Sequence, residues 1–556
     1  MICLSCKYAP VELFVGFGEE CRRLDPNPAS FSCADSCAHP NLCGFAKAVI
    51  ETAAEEGIRE ILFTDCCDAM RRSFDVLRQQ NLRFIRLLPL PHKKGAAEIR
   101  RFAEELEQLA ADYAAYSGKP FSRGLALAAC RKASAETERA KGPVVTLAGA
   151  HGGSLLLGQA QRALPGFTVV DDTCSGNRHL AAESIPKGFE SDRAFFEWYA
   201  RALLQMKPCL RMADTAGRTQ ATRGEAGAGM IYHTVKFCDY YSFEYAALKD
   251  SAGIPLLKIE TDTTPQSSGQ LKTRLEAFAE TLGVQKEESQ KMEKKENRTV
   301  RYAAGIDSGS TSTDAVVLDA EGILLGKAIL QTGMSASGSA KEALAQALRE
   351  AGLDQSALDA VVATGYGRDV LGMGSRTVTE ITCHAKGAHA LFPEARTIID
   401  IGGQDSKVIR IDENGAVLNF IMNDKCAAGT GRFLEMQARA LGLTMEEMSR
   451  MGLTWKSEVE ISNMCTVFAE SEVVSLVAKD TPLPDIIHGL NRSVAAKTAS
   501  LVRRGKGGLG YAMTGGVSRN AGVVTCLSEA LGAPIQVSEL SQLCGAIGAA
   551  LIGLGK

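Results

Sequence analysis

The sequence has no apolar run long enough to cross a membrane, and its first residues, MICLSCKYAP, show no signal-peptide pattern. It also has no excess of basic residues, because 62 Lys and Arg face 65 Asp and Glu and the net charge is −3. The first absence predicts a cytoplasmic protein rather than an integral membrane or secreted one. The second leaves no basic face for nucleic acid or for acidic membranes. We therefore expect neither as a partner.

Two further absences narrow the chemistry. No GxxxxGK[ST] motif occurs, since the glycine-rich stretch RGKGGLG at 504–510 has the wrong spacing, and a P-loop is thereby excluded. A secretion signal is also missing although the chain has 17 cysteines, an odd number. This combination argues against a disulfide framework and favours metal ligands or redox-active thiols.

A charged segment divides the chain. Residues 286–298, KEESQKMEKKENR, contain nine charged residues among thirteen and no apolar periodicity. Twelve cysteines precede this segment and five follow it. We predict one domain at 1–285, a solvated linker at 286–300 and a second domain at 301–556, whose first strand opens at Tyr302.

The second domain contains an internal repeat. GIDSGSTSTDAVVLDAEG at 305–322 and IIDIGGQDSKVIRIDENG at 398–415 share an Asp, a Gly, a second Asp and a second Gly, all offset by 93 positions. Each copy alternates apolar and polar residues around two turns, which is typical of strand–turn–strand structure. The repeat favours two similar lobes that present phosphate-binding loops across a cleft, over two unrelated glycine-rich hairpins.

Several residue types in this domain suit a nucleotide. Backbone N–H groups and hydroxyls of the first loop offer donors for phosphate oxygens, and carboxylates at the two strand ends could hold Mg²⁺ through its waters. A third glycine-rich element, MTGGVSRN at 513–520, would let a nucleoside approach the backbone closely. The residues we assign to ATP and Mg²⁺ are Asp307, Ser308, Gly309, Ser310, Thr311, Ser312, Thr313, Asp400, Gly402, Gly403, Gly515, Gly516, Arg519 and Asn520. Together the three elements resemble the actin, hexokinase and Hsp70 ATPase superfamily.

Cys383 and Cys426 each follow a pattern that predicts the start of a helix. The helix dipole and free N–H groups there lower a thiol pKa and favour an anionic centre. Two thiolates are too few for a four-cysteine iron–sulfur cluster, so a symmetric dimer would have to supply four. Two buried structural cysteines are the alternative.

A family resemblance bears on that choice. The strings DSGSTSTDAVV, ATGYGR, TEITCHAKGA, DIGGQDSK, NDKCAAGTGRFLE, CTVFAESE and TGGVSRN, within 301–555, resemble the ATP-dependent activators of 2-hydroxyacyl-CoA dehydratases. The ATPase subunits of benzoyl-CoA reductase belong to the same superfamily. The resemblance implies a homodimer with one [4Fe-4S] cluster at its interface, held by Cys383 and Cys426 of both subunits. It also implies a ferredoxin- or flavodoxin-like electron donor and ATP-driven electron transfer to a protein acceptor. For Gln404, orienting the attacking water and a structural role in the turn both stay open.

The cysteines of the first domain follow predicted strands. The stretches 58–90, 144–174 and 230–260 each read as strand, helix, strand, so we predict flavodoxin-like, doubly wound parallel sheets. Cys66, Cys67, Cys174 and Cys238 fall just past strand ends, the edge at which open α/β sheets bind ligands. This placement favours a metal cluster over packing.

The loop FSCADSCAHPNLCGFAKAV adds Cys33, Cys37 and Cys43; a zinc site with His39 is disfavoured because no second Cys/His pair follows. This half resembles the iron–sulfur subunits of 2-hydroxyacyl-CoA dehydratases and their double-cubane relatives in HPNLCGFAKAV, DCCDAMRRSFDVL, VVDDTCSGNR and KFCDYYSFEY. The resemblance assigns the ligands of a second [4Fe-4S] or double-cubane cluster to Cys43, Cys67, Cys174 and Cys238.

The two halves together predict an ATP-dependent, oxygen-sensitive reductase or dehydratase activase. In this reading the second domain donates electrons to an iron–sulfur centre in the first. Two alternatives stay open. The first half could only dock a separate dehydratase subunit, or the chain could be a nucleotide-switched iron–sulfur sensor without a substrate.

Overall fold

The computed structural model describes the chain except residues 136–141, 177, 181–184, 216–217, 219–226, 250, 266–267, 284–299, 369–375, 424–426, 428, 462–465 and 509. The chain forms two compact units, Met1–Phe278 and Ala279–Lys556. The predicted linker at 286–298 lies outside the described residues. Within the described ranges, no helix is both long and apolar enough to cross a membrane.

The first unit is built on two parallel sheets. Its strands are β1 (Ile2–Leu4), β2 (Cys21–Arg23), β3 (Glu60–Thr64), β4 (Phe84–Leu88), β5 (Val144–Gly149), β6 (Thr168–Thr173), β7 (Gly229–Val235) and β8 (Leu256–Thr261). Its helices are α1 (Val11–Val15), α2 (Ser32–Cys37), α3 (Gly44–Glu55), α4 (Asp68–Leu77), α5 (Ala96–Ser117), α6 (Arg123–Ala135), α7 (Gly153–Ala163), α8 (Asp192–Leu204) and α9 (Asp239–Leu248), and α10 (Ser268–Thr281) ends just past it.

Both sheets have the same topology. The strand orders are β2-β1-β3-β4 and β6-β5-β7-β8, with every pairing parallel. All residues of β1 and β7 are buried, as parallel strands covered on both faces require. The side on which successive strands are added switches between β1 and β3 and between β5 and β7. Such switch points are where open α/β sheets bind ligands. The predicted parallel α/β architecture is confirmed.

The second unit contains two mixed sheets. Its strands are β9 (Tyr302–Ser308), β10 (Ser312–Asp319), β11 (Leu324–Gln331), β12 (Ala360–Thr364), β13 (Arg376–Thr377), β14 (Thr397–Ile401), β15 (Ser406–Ile411), β16 (Val417–Asn423), β17 (Tyr511–Thr514) and β18 (Ile535–Gln536). Its helices are α11 (Ala336–Ala351), α12 (Glu380–Leu391), α13 (Gly431–Ala440), α14 (Met445–Met451), α15 (Thr466–Val477), α16 (Leu483–Arg504), α17 (Ala521–Leu531) and α18 (Cys544–Gly553).

These two sheets are duplicates. Their orders are β11-β10-β9-β12-β13 and β16-β15-β14-β17-β18, each with three antiparallel strands followed by two parallel ones. The repeat extends to the second turns, where Asp319 and Asp412 each accept two backbone N–H bonds at 2.8–3.1 Å. Gly322 and Gly415 then adopt φ of 90° and 75°. The predicted duplicated ATPase fold is confirmed.

Helices α12 and α18 cross at unusually close range. A Cβ atom on Gly548 would lie 1.8 Å from the carbonyl oxygen of Cys383, and one on Gly387 would lie 2.0 Å from that of Cys544. Glycine on both helices is therefore what permits the crossing. The crossing fixes the backbone of Cys383. It also places His384, the next residue, beside Asp307, and His384 Nε2 lies 3.4 Å from the Asp307 carboxylate.

Candidate functional site

A cavity of about 480 Å³ lies between the duplicated sheets of the second unit. Twelve of the residues assigned to nucleotide and Mg²⁺ line it: Asp307, Gly309, Ser310, Thr311, Ser312, Asp400, Gly402, Gly403, Gly515, Gly516, Arg519 and Asn520. Ser308 and Thr313 are buried outside the lining. Gln404 is exposed and does not line the cavity, whereas its neighbour Asp405 does.

The three glycine-rich elements meet because side chains are missing where they touch. A Cβ on Gly403 would lie 1.9 Å from the hydroxyl of Thr311, so the two repeated loops are in contact. Gly515 has a φ of 78°, and a Cβ there would lie 2.5 Å from the carbonyl oxygen of Ile401. A Cβ on Gly516, by contrast, would meet nothing within 4 Å. Its position therefore opens on the space that the loops enclose.

The repeat is chemically asymmetric at one position. Strand pairing places Asp314 opposite Asp307 in the first lobe and Lys407 opposite Asp400 in the second. Lys407 Nζ lies 3.3 Å from Asp400 and 2.9 Å from Asp405, and it also contacts Glu380 at 2.7 Å. Asp400 thus already has a cation as partner, which the sequence prediction of Mg²⁺ ligation by both aspartates did not foresee.

The first lobe has the opposite character. Asp307 Oδ1 and Asp314 Oδ1 are buried and have no hydrogen-bond partner among the residues that the structure describes. Asp307, Glu380 and His384 each offer one ligand atom within 4.8 Å of the others. Orphaned carboxylate oxygens suit Mg²⁺ and its waters, whereas the imidazole is a poorer ligand for this ion. The residues therefore fit Mg²⁺ on the Asp307 side of the cavity.

His384 joins the two lobes. Its Nε2 lies 3.4 Å from Asp307 and its Nδ1 lies 3.3 Å from Asp400. Burial opposes its charge, but Asp400 and Asp307 raise the pKa of His384 well above its usual range. None of the sequence patterns indicated a functional role for His384, although it stands directly after Cys383 in TEITCHAKGA.

Asp314 provides a pH-dependent prediction. Burial, followed by the nearby Asp307, raises the pKa of Asp314 to about 8. Because the unfolded state releases this proton first, the nucleotide-free protein should lose stability as pH rises from 3.8 to about 8. We expect Asp314→Asn to stabilise the protein at the upper end of that window by roughly 1–3 kcal/mol. Denaturant unfolding across the window measures this effect. The exposed Glu342→Gln should change nothing, and an Asp314→Asn variant with the wild-type pH dependence would contradict the assignment.

Of the two cysteines predicted to hold a cluster between subunits, the structure describes only Cys383. Cys383 lies in the first turn of α12, as predicted, but it is fully buried against Val362, Val378 and Ala549. Burial raises the pKa of Cys383 well above its usual range, so the expected lowering by the helix dipole is wrong for this thiol in the single chain. Cys426 lies outside the described residues.

A second cavity, of about 100 Å³, lies in the first unit. Seven thiols line it: Cys6, Cys43, Cys66, Cys67, Cys174, Cys209 and Cys238. All four cysteines that the sequence assigned to a cluster are therefore brought together. Cys6 and Cys209 were missed, and Cys33 and Cys37 do not line this cavity.

Three of these thiols stand at the N-cap positions of helices. Cys43 precedes α3, Cys67 precedes α4 and Cys238 precedes α9. Backbone N–H groups in the first turns of these helices, those of Ala46, Met70 and Tyr241, act to lower the pKa of Cys43, Cys67 and Cys238, respectively. Helix N-termini favour a thiolate.

The thiols of Cys6 and Cys238 each have a pKa that is lowered by a hydrogen bond from a neighbouring thiol. A hydrogen bond from Cys66 lowers the pKa of Cys6 to about 6. A hydrogen bond from Cys43 lowers the pKa of Cys238 to about 7. Thiolates are the metal-binding form, and seven thiols exceed the four that one [4Fe-4S] cluster takes. The donor set therefore fits an iron–sulfur centre and contains more thiols than one cubane needs.

Comparison with known proteins assigns both halves. Residues 304–553 match the BadF/BadG/BcrA/BcrD ATPase family, and residues 6–152 and 156–282 match the family described as 2-hydroxyglutaryl-CoA dehydratase, D-component. The chain belongs to the BadF/BadG/BcrA/BcrD ATPase family and carries a dehydratase D-component domain before it. The family resemblance seen in the sequence is confirmed for both halves.

Individual relatives resemble one part of the chain. The 2-hydroxyisocaproyl-CoA dehydratase activator of Clostridioides difficile is 41% identical over 250 residues, 45% of this chain and 94% of that protein. The activator of lactoyl-CoA dehydratase from Anaerotignum propionicum is 45% identical over 250 residues, 45% of this chain and 96% of that protein. Among solved structures, component A of the Acidaminococcus fermentans (R)-2-hydroxyglutaryl-CoA dehydratase is 42% identical, with a TM-score of 0.45, covering 46% of this chain and 98% of that chain.

Proposed function

We propose that this chain uses ATP hydrolysis to drive low-potential electron transfer from its second unit to an iron–sulfur centre in the thiol cavity of its first unit. One observation carries the proposal: a nucleotide-type cavity and a cavity lined by seven thiols occur in the same chain. The membership in an activator-type ATPase family supports the first half of the proposal, and the D-component domain supports the second.

The nucleotide cavity would act through groups that are already in place. Backbone N–H groups and hydroxyls of Ser310 to Ser312 would receive phosphate oxygens. Asp307 would hold Mg²⁺, because Asp314, the residue opposite it on the neighbouring strand, brings no positive charge. In the second lobe, by contrast, Lys407 already neutralises Asp400. Gly516 would leave space for the nucleoside.

The helix α12 would transmit the nucleotide state. Glu380 and His384 line the nucleotide cavity, and Cys383 stands between them on the same helix. Asp307, when it holds Mg²⁺, would attract His384 less strongly across the 3.4 Å that separates them, since its negative charge would then be shared. A change in the contacts of His384 would therefore also change the position of Cys383, the preceding residue on the same helix. We assign Cys383 and Cys426 of two subunits to one [4Fe-4S] cluster, which would supply one-electron chemistry at low potential.

In the first unit, the second centre would be held by Cys43, Cys67, Cys174 and Cys238. Cys6 and Cys209 line the same cavity and are further candidate ligands. Such a centre would supply electrons to inert groups of the kind that dehydratases and reductases act on. We place the reaction in the 2-hydroxyacyl-CoA dehydratase class, with a ferredoxin- or flavodoxin-like donor, a homodimer and an intracellular setting as further parts of the proposal.

One alternative has its own support. The relatives from Clostridioides difficile and Anaerotignum propionicum are named as activators of a dehydratase. The first unit could then dock a dehydratase subunit instead of receiving the electron. Iron and sulfide analysis of anaerobically purified protein separates the two: about four irons per dimer means the activator cluster alone, and about eight or more per chain supports a double-cubane reductase. Rapid-freeze EPR after adding MgATP to protein reduced in its second unit then tests whether transfer depends on ATP.

Double substitution of Cys383 and Cys426 by serine tests the interface cluster. We expect the iron signal of that cluster to disappear while nucleotide affinity changes less than about threefold, because Cys383 does not line the nucleotide cavity. EPR and calorimetry measure the two outcomes. Cys526→Ser, in the core of the second unit, serves as the control. A double variant that keeps its full cluster signal would refute the ligand assignment.

A further inference from the structure

Lys7 is a buried cation that has no anionic partner among the described residues. It follows Cys6 directly, and it is only 1% exposed. Within that part of the chain its Nζ makes no hydrogen bond, and no carboxylate oxygen lies within ion-pairing distance of it. Its one recorded contact there is a cation–π contact with the ring of Tyr8, whose centroid lies 5.8 Å from Nζ.

Three other buried cations of the first unit each have a carboxylate partner. Arg178 pairs with Glu12 at 2.6 Å, Arg218 pairs with Glu244 at 2.7 Å, and Lys47 pairs with Asp35 at 2.5 Å. An uncompensated buried charge destabilises a fold by several kcal/mol. A methionine of similar volume would avoid this cost, so the ammonium of Lys7 needs an explanation other than packing.

The surroundings of Lys7 indicate where its counter-charge belongs. Burial lowers the pKa of Lys7, and the main groups that act in the opposite direction are Cys209, Asp172 and Cys174. Asp172 is already paired with Lys207 at 2.5 Å. The remaining two are thiols that line the cysteine cavity, and Cys6, the neighbour of Lys7 in the chain, lines it as well. Geometry also places Lys7 near this cavity, because the hydroxyl of Tyr8, the next residue, accepts a hydrogen bond from the backbone N–H of Cys209 at 3.3 Å.

We propose that Lys7 is the fixed positive charge that balances the iron–sulfur centre of the thiol cavity and raises its reduction potential. This inference rests on the proposed function, which places such a centre there. A nearby cation stabilises the reduced, more negative state more than the oxidised one, and net charge is one of the terms that set cluster potentials. Lys7 is thus a tuning residue and not a ligand.

The proposal has opposite consequences with and without iron. In the iron-free protein, Lys7→Met removes an uncompensated charge and should raise the unfolding temperature of the first unit. In the iron-loaded protein, the same change removes the counter-charge. It should shift the midpoint potential to a more negative value and speed the loss of iron to a chelator several-fold. A purely structural lysine would not produce this reversal of sign.

The experiment uses the full chain carrying Cys383→Ser and Cys426→Ser, so that only the centre of the first unit contributes to an EPR redox titration. Lys7→Arg should keep the wild-type potential because it keeps the charge. Lys47→Met is the matched control: it removes a buried lysine that has a partner, so it should lower the unfolding temperature of the iron-free protein. If Lys7→Met fails to fold, Lys7→Gln is measured in its place.

The outcomes separate the two levels of inference. A lower potential together with a more stable iron-free protein supports the role of Lys7. An iron-loaded cavity whose potential ignores the loss of the charge refutes that role and leaves the proposed function standing. A wild-type first unit that binds no iron refutes the proposed function and the role of Lys7 with it.

Discussion

Replacing Gly516 with valine is expected to abolish nucleotide binding while leaving the fold intact. A Cβ at this position meets no atom within 4 Å, so the branched side chain can be accommodated by the protein itself. The same side chain projects from a residue that lines the nucleotide cavity, and it would occupy the space that a nucleoside needs. We expect affinity for ADP or an ATP analogue to fall by at least roughly 100-fold, or about 2.8 kcal/mol, and ATPase activity to disappear.

Calorimetry with the nucleotide and thermal unfolding without it check the two halves of this result. Gly515 is a poorer target, because any side chain there would strain the backbone and collide with Ile401. Gly508→Val is the matched control, since Gly508 is exposed, equally free of neighbours and outside the cavity lining. A Gly516→Val protein that binds nucleotide as tightly as the control would place the nucleoside elsewhere.

The sequence predicted most of this fold because its periodicities are local. Alternation of apolar residues and small turns identified the βαβ units and the duplicated hairpins, and both are confirmed. Strand β3 ends at Thr64, so Cys66 and Cys67 follow a strand end as predicted. The sequence pattern did not reveal that Cys67 stands at the N-cap of α4.

In the nucleotide cavity, contacts between segments that are distant in the sequence could not be predicted from local patterns. Its glycine loops were found because glycine marks tight turns. The contacts of His384 with Asp307 and Asp400 were missed, because they arise only when α12 packs between two lobes. One signal was available in the sequence. Asp314 and Lys407 occupy equivalent positions of the repeat, 93 residues apart, and a change from acid to base there distinguishes the two lobes.

The thiol cavity was found in part for a similar reason. Cys67, Cys174 and Cys238 follow strong strand patterns, whereas Cys209 lies in the described stretch 205–215 after α8, outside any helix or strand. Cys6 follows the short strand β1, whose three residues carry little periodic signal. The pKa of Cys383 was predicted in the wrong direction, because sequence position reveals the helix end but not the burial that outweighs it.

Replacing Cys67 and Cys238 together with serine is expected to remove most of the iron from the first unit. Both thiols cap helices and line the same cavity, and both have a pKa lowered by a neighbouring thiol. Serine keeps the size and a weaker donor role, but it is a poor ligand for iron at neutral pH because its oxygen stays protonated. We expect nucleotide affinity to be unchanged, since neither residue lines the nucleotide cavity.

The single variants Cys6→Ser and Cys209→Ser extend this result to the two thiols that only the structure brings to the cavity. Iron and sulfide content and EPR spectra are measured after anaerobic purification of each full-length variant. Cys37→Ser is the control, because Cys37 is exposed and lies outside the thiol cavity. If Cys6→Ser and Cys209→Ser lose iron as the double variant does, the centre uses more than four thiols and exceeds a single cubane. If only Cys67 and Cys238 matter, one [4Fe-4S] cluster with the ligands assigned from the sequence is sufficient. A double variant with full iron content would mean that the thiol cavity holds no cluster, and the electron-accepting role of the first unit would have to be abandoned in favour of docking.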